Sequence, residues 1–99
     1  MFYIWYKLTI MTIKQTRQEL ESLCSYQNPY MKYTCIPKIQ FAISRIKNEK
    51  DKTRLSQIIT QIEATDDPFD FNRKVKSNAD LVFILKLINE AISIIEQYE

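Results

Sequence analysis

The chain has 99 residues, enough for one domain with a single core, and its 45% hydrophobic content argues against global disorder. Fourteen basic residues against twelve acidic ones leave a formal charge of +2, too balanced to point at nucleic acid. It contains no glycine and no histidine; the first absence removes the cheapest source of positive φ for hairpins and phosphate-cradling loops, the second the usual general base and metal ligand. The expectation is a binder rather than an enzyme, with no catalytic residues, no cofactor and no metal site.

Residues 1–13 are the most apolar stretch, with Phe2, Tyr3, Trp5 and Tyr6 close together. The stretch is too short for a membrane span, which needs about 20 residues, and lacks the basic start and cleavage site of a signal peptide. Residues 1–11 read as an arm packing on the domain or on a second copy, as an interfacial anchor, or as an extension ahead of a start at Met11. The arm would allow a homodimer.

From Thr12 the apolar positions take helical spacing. Ile13, Thr16/Arg17, Leu20 and Leu23/Cys24 predict a first helix over residues 13–25. Asn28 followed by Pro29 reads as a cap and first helical position, predicting a second helix over 29–48 with the stripe Cys35/Ile36, Ile39, Ala42/Ile43 and Ile46. Pro37 removes a hydrogen bond to the preceding turn, so a kink or break is expected near Ile36. Phe41 lies opposite Ile39 on the helical wheel, which predicts apolar contacts on two sides.

Residues 47–52 read as a solvated connection, and Leu55, Ile58, Ile59 and Ile62 give a third helix over 53–65, capped by Asp51 or Thr53. Asp66-Asp67-Pro68 ends it. A long connection over 66–77 precedes a capping box at Ser77–Asp80, which opens a fourth helix over 78–97. There the main stripe is Leu81, Ile84/Leu85, Ile88, Ala91/Ile92 and Ile95, and Val82, Phe83, Leu87 and Ile94 add a second, so residues 81–88 are apolar nearly all round. The expected fold is all-α: an antiparallel four-helix bundle, up-down-up-down, in one domain, with the bundle over 13–97. Its expected core is Ile39, Ile43, Ile59, Ile62, Leu81, Leu85, Ile88 and Ile92.

Candidate functional residues gather after residue 68. Phe69 and Phe71 flank Asp70, and Arg73, Lys74 and Lys76 follow with no acid between them. The phenylalanines read either as plugs folding the connection onto the core or as recognition residues. Phe83 and Leu87 either line a partner groove or lie beneath the N-terminal segment. Phe69, Phe71, Arg73, Lys74, Lys76, Phe83 and Lys86 form the candidate partner-binding set, suited to a flat contact anchored by aromatics and cations. Arg45, Lys47, Lys50, Lys52 and Arg54 alternate with Glu49 and Asp51, as on a solvated tip. Asp66, Asp67 and Asp70 lack the glycine and terminal bidentate acid of a calcium loop. Cys24 and Cys35 lack metal spacing and read as reduced thiols, the alternative being a disulfide across the first connection.

The order of these signals resembles the immunity proteins of pediocin-like (class IIa) bacteriocins, the enterocin A immunity type, which are small cytosolic four-helix bundles. It is carried by a short first helix, Asn28-Pro29 before a long second helix, the Leu55-Ile58-Ile59-Ile62 pattern, the basic Arg73-Lys74-Val75-Lys76 connection and the helix capped at Ser77. Pro37 and the apolar segment 1–11 depart from the family pattern, and the chain ends directly after the fourth helix, where the family's specificity-determining half extends into a tail. The resemblance implies a cytoplasmic protein, peripheral at most to the inner membrane face. It would protect its producer from a pore-forming peptide by engaging the bacteriocin-occupied mannose phosphotransferase permease from the cytosol. Basic residues near the inner leaflet would gain attraction to anionic lipid. Two other readings stand beside it: a homodimerising adaptor, and a helical nucleic-acid-binding regulator. For the latter the third helix offers only Arg54, Gln57 and Gln61 against Glu63.

Overall fold

The computed structural model describes residues 12–99, so the readings of residues 1–11 as arm, anchor, extension or dimer contact lie outside it. Four helices follow in order, α1 (Ile13–Ser25), α2 (Met31–Arg45), α3 (Glu49–Ala64) and α4 (Asn78–Glu96). The described residues hold no sheet, and a single antiparallel bridge pairs Phe69 with Val75. The fold is all-α, a four-helix bundle around one hydrophobic core.

Helix α1 spans the expected residues because both its ends are chemically specified. Thr12 Oγ1 accepts from the Gln15 N–H at 3.0 Å, and the Thr12 N–H donates to Gln15 Oε1 at 3.0 Å, a reciprocal capping box. At the other end the Asn28 N–H donates to the Leu23 carbonyl at 3.0 Å and the Gln27 N–H to the Cys24 carbonyl at 3.2 Å. This is the Schellman pattern, with Gln27 at φ 45° in the place glycine usually takes.

That motif displaces the start of α2. Asn28 does not cap the helix; its Oδ1 accepts from the Tyr30 N–H at 2.8 Å, leaving Pro29 in the turn, so α2 begins at Met31 rather than at Pro29. It stops at Arg45, short of Asn48, because Ile46 turns extended (φ −94°, ψ 136°) and drops its side chain into the core. Asn48 instead opens α3, its Oδ1 accepting from the Asp51 N–H at 3.0 Å. The segment expected to be a solvated connection is therefore mostly the first turn of α3, with Glu49 and Asp51 at the positive end of the helix dipole. Pro37 does not break α2. Pro37 and Tyr33, one turn before it, are both exposed, so the carbonyl deprived of its N–H belongs to the solvated face, where water can serve it. Helix α4 ends one residue before the expected boundary; Ser77 Oγ accepts from the Asp80 N–H at 3.2 Å, one half of the expected box.

The helices pack in a ring. Helix α1 lies against α2 and α4, α3 lies against α2 and α4, and α4 also meets α2 across the diagonal. Arg17 donates twice to Glu99, at 2.7 and 2.6 Å, and the Tyr98 hydroxyl bonds Asp51. These links bring the starts of α1 and α3 to the end of α4.

Of the expected core, Ile39, Ile59, Ile62, Leu81, Ile88 and Ile92 are buried, whereas Ile43 and Leu85 are only half-buried at its margin. The inward line of α2 runs Met31, Cys35, Ile39, Ala42, Ile46, and that of α4 runs Leu81, Ile84, Leu87, Ile88, Ala91, Ile92, Ile95, which puts Ile43 and Leu85 on the flanks. Phe41, expected to have contacts of its own, is half-buried beneath the Arg45 guanidinium, 5.0 Å from its ring centre. Thr16, the buried polar residue of α1, donates its hydroxyl to the Thr12 carbonyl at 3.1 Å.

Ile88→Ala should cost about 2–5 kcal/mol, and Leu85→Ala clearly less, in chemical denaturation followed by circular dichroism. The Arg54 guanidinium holds the Glu90 carboxyl below its ordinary value of 4.5. This pair therefore stabilises the fold above that value and is lost as pH falls through the lower, folded one. Melting temperature should drop on acidification below about pH 4.5, and the drop should be shallower in Glu90→Gln.

Candidate functional site

The connection between α3 and α4 is built around two aspartates. Asp67 Oδ1 accepts from the Phe69 N–H at 3.1 Å. Asp70 Oδ1 accepts from the N–H groups of Asn72 (2.8 Å) and Lys74 (3.0 Å), and its own N–H donates to the Lys74 carbonyl at 2.7 Å. The Pro68 carbonyl takes the Lys76 N–H at 2.8 Å. The result is a closed hairpin in a chain without glycine, and Arg73 supplies the left-handed residue at φ 63°. Its guanidinium sits 4.7 Å from the centre of the Tyr30 ring and 3.7 Å from Asp67 Oδ2, which offsets the backbone cost.

This hairpin separates the two phenylalanines. Phe69 drops into the core at 6% exposure, so it is the plug of the connection and not a surface residue. Phe71 stands at the tip, 94% exposed. Among the described residues the large hydrophobic side chains left exposed are Tyr26, Tyr30, Tyr33, Phe71, Val75, Val82 and Phe83. They belong to the α1–α2 turn, the first turn of α2, the hairpin and the first turns of α4. The Arg73–Tyr30 contact ties the hairpin to the start of α2, so these segments share one end of the bundle. Lys32, Lys74 and Lys76 lie on the same segments and, like Lys86 midway along α4 beside Glu90, form no salt bridge with any described residue. Lys32 rests 5.3 Å from the Tyr33 ring centre.

Of the sequence-predicted set, the structure brings Phe71, Arg73, Lys74, Lys76 and Phe83 to this end as exposed residues, leaves Lys86 exposed midway along α4, and removes Phe69. Leu87 is 3% exposed, so it shares no groove with Phe83. The tyrosines and Val82 had no place in the predicted set. Tyr26, Tyr30 and Tyr33 carry one legible signal: spacings of four and three residues that fall off the Met31–Cys35–Ile39 line.

The opposite end is tied by polar pairs. Arg54 bonds Glu90 through both Nε and Nη2, the latter at 2.7 Å, and Arg17 clasps Glu99. Hydrogen bonding to the guanidiniums holds both carboxyls below the ordinary range. Cys24 and Cys35 are free thiols. Burial pushes Cys35 up to about 12, and burial with the nearby Glu21 charge raises Cys24, so both are neutral and weakly nucleophilic at pH 7. Among the described residues no cluster of His, Cys, Asp and Glu could hold a metal ion, and no helix is long and apolar enough to cross a membrane. What the arrangement offers chemically is contact area: aromatic rings with unpaired cations between them.

No family model matches the chain, and neither a curated protein nor a solved structure shows significant similarity to it.

Asp70→Ala should untie the hairpin, costing about 1 kcal/mol globally because the bonds lost are exposed, while amide exchange at residues 69–76 accelerates far more than elsewhere. In the native state a thiol reagent should modify Cys24 slowly and Cys35 only at the rate of unfolding.

Proposed function

We propose that this chain is a partner-binding module of the class IIa bacteriocin-immunity type and that its working surface is the aromatic and cationic end of the bundle. It meets the bacteriocin-occupied mannose phosphotransferase permease from the cytosolic side and holds the pore shut. One observation carries the choice of surface: the exposed large aromatic and aliphatic side chains gather at one end, with the exposed, unpaired Lys74 and Lys76 among them, while the other end presents none among the described residues. Interfaces draw most of their affinity from a few buried aromatic and cationic anchors, and this end supplies both, on turns already fixed in shape. The helix order, with its Asn-Pro turn and basic third connection, supports the family. A nucleic-acid reading finds less support, because the cation of the α3 outer face, Arg54, is held by Glu90.

Expression in a strain sensitive to class IIa peptides should raise survival against at least one member of a panel; no protection against any would remove the reading. Lys74→Ala/Lys76→Ala/Lys86→Ala should reduce protection about tenfold or more with an unchanged melting temperature, since exposed unpaired lysines contribute little to stability. Arg73 is left in place because it pins Tyr30.

A further inference from the structure

Phe71 is unusual in its placement rather than its type. Exposed large side chains are common, but at 94% exposure this ring touches almost nothing. It is also not on a loose tip: Asp70 closes the backbone on both sides of it, and Arg73, two residues on, is anchored to Tyr30 and Asp67. The chain therefore holds an apolar ring out into solvent.

We infer that the 68–76 hairpin is a bilayer-interface anchor, with Phe71 entering the headgroup boundary of an anionic membrane and the lysines around it meeting lipid phosphates. The inference rests on the proposed function for bringing the protein to a membrane and adds the point at which it touches lipid. A ring this bare forms no rimmed recess with its neighbours, so it suits a deformable phase better than a rigid partner pocket. Tyr26, Tyr30 and Tyr33 lie at the same end, exposed; such amphipathic rings favour the membrane–water boundary. Lysine stems can lie along apolar surface while their heads reach phosphate.

The charges at this end set what the ring must do. Asp67 is paired with Arg73, and Asp70 accepts two backbone N–H groups of its own hairpin. Counting Glu63, Asp66 and Asp80 as well, the end carries no net cationic excess, and attraction to lipid phosphate falls to the exposed, unpaired Lys74 and Lys76 beside Phe71. Both the ring and these two lysines are therefore needed, as for other interfacial segments that combine apolar insertion with attraction to anionic lipid.

The test is co-sedimentation of the full chain with phosphatidylcholine vesicles with and without phosphatidylglycerol, with no receptor protein present. Binding should require phosphatidylglycerol, weaken with salt, fall about tenfold in Phe71→Ser and by a similar factor in Lys74→Glu/Lys76→Glu, and persist in Lys47→Glu/Lys50→Glu at the other end. A Trp5→Phe/Phe71→Trp chain should show blue-shifted emission on adding these vesicles, which reports insertion independently of affinity. Absence of binding, or binding unchanged in Phe71→Ser and thus carried by residues 1–11, overturns the inference. So does equal loss in the Lys47/Lys50 variant, which marks a non-specific charge effect. Protection in cells without vesicle binding gives the hairpin a protein partner and overturns it as well. Vesicle binding without protection upholds it while the immunity reading falls.

Discussion

The burial of α4 is the constraint on which the other helices depend. It packs against all three others, as α2 also does, but it buries the most side chains, and α1 and α3 make no contact with each other. Seven of its side chains face inward, Leu81, Ile84, Leu87, Ile88, Ala91, Ile92 and Ile95. At roughly 1.5–3 kcal/mol for each large one, this gross burial exceeds the net stability expected of a domain this small. The remaining helices bring narrower stripes that would be left half-solvated without it. The same helix also anchors the polar ties: Glu90 in its C-terminal half and Glu99 just beyond its end accept from Arg54 and Arg17, and the Tyr98 hydroxyl donates to Asp51.

Because those ties gather where α4 ends, the end where it begins has to be closed by other means. A buried phenylalanine, a hairpin and a cation stacked on a tyrosine do so. The two ends differ chiefly in aromatic surface. Arg54–Glu90 and Arg17–Glu99 lie toward one, whereas the other exposes Tyr26, Tyr30, Tyr33, Phe71 and Phe83, the kind of surface a partner or an interface can use.

The lack of glycine shapes this end too. Both positive-φ residues among those described, Gln27 and Arg73, lie there, and each costs on the order of 1 kcal/mol of backbone strain. Each is compensated locally, Gln27 by the hydrogen bonds that close α1 and Arg73 by Tyr30 and Asp67. A turn built this way has fewer alternative conformations than a glycine turn, so the backbone that carries Tyr26 and Phe71 is held closer to one shape.

Much of this architecture was legible from residue order. Leu55, Ile58, Ile59 and Ile62 recur at helical steps and are all buried, and Ser77 caps a helix where the pattern starts, because periodicity and capping are local properties of adjacent residues. Boundaries failed where two local signals competed: Asn28 could cap α2 or complete the turn after α1, and Ile46 could extend α2 or fill the core. In each case tertiary packing chose. Of the candidate residues picked out by the basic and aromatic composition after residue 68, Phe71, Arg73, Lys74, Lys76, Phe83 and Lys86 are exposed. The opposite fates of Phe69 and Phe71 were not legible, because two residues of one type in one loop carry the same propensity and differ only in what lies beneath them. Nor was the gathering of Tyr26, Tyr30 and Tyr33 with the hairpin, about forty residues away in the chain. Sequence alone determined a helical fold of four elements, since periodicity and capping depend on which residues are present and at what spacing; only the tertiary structure decided which rings face water and which end they share, since that depends on which helix ends are brought together.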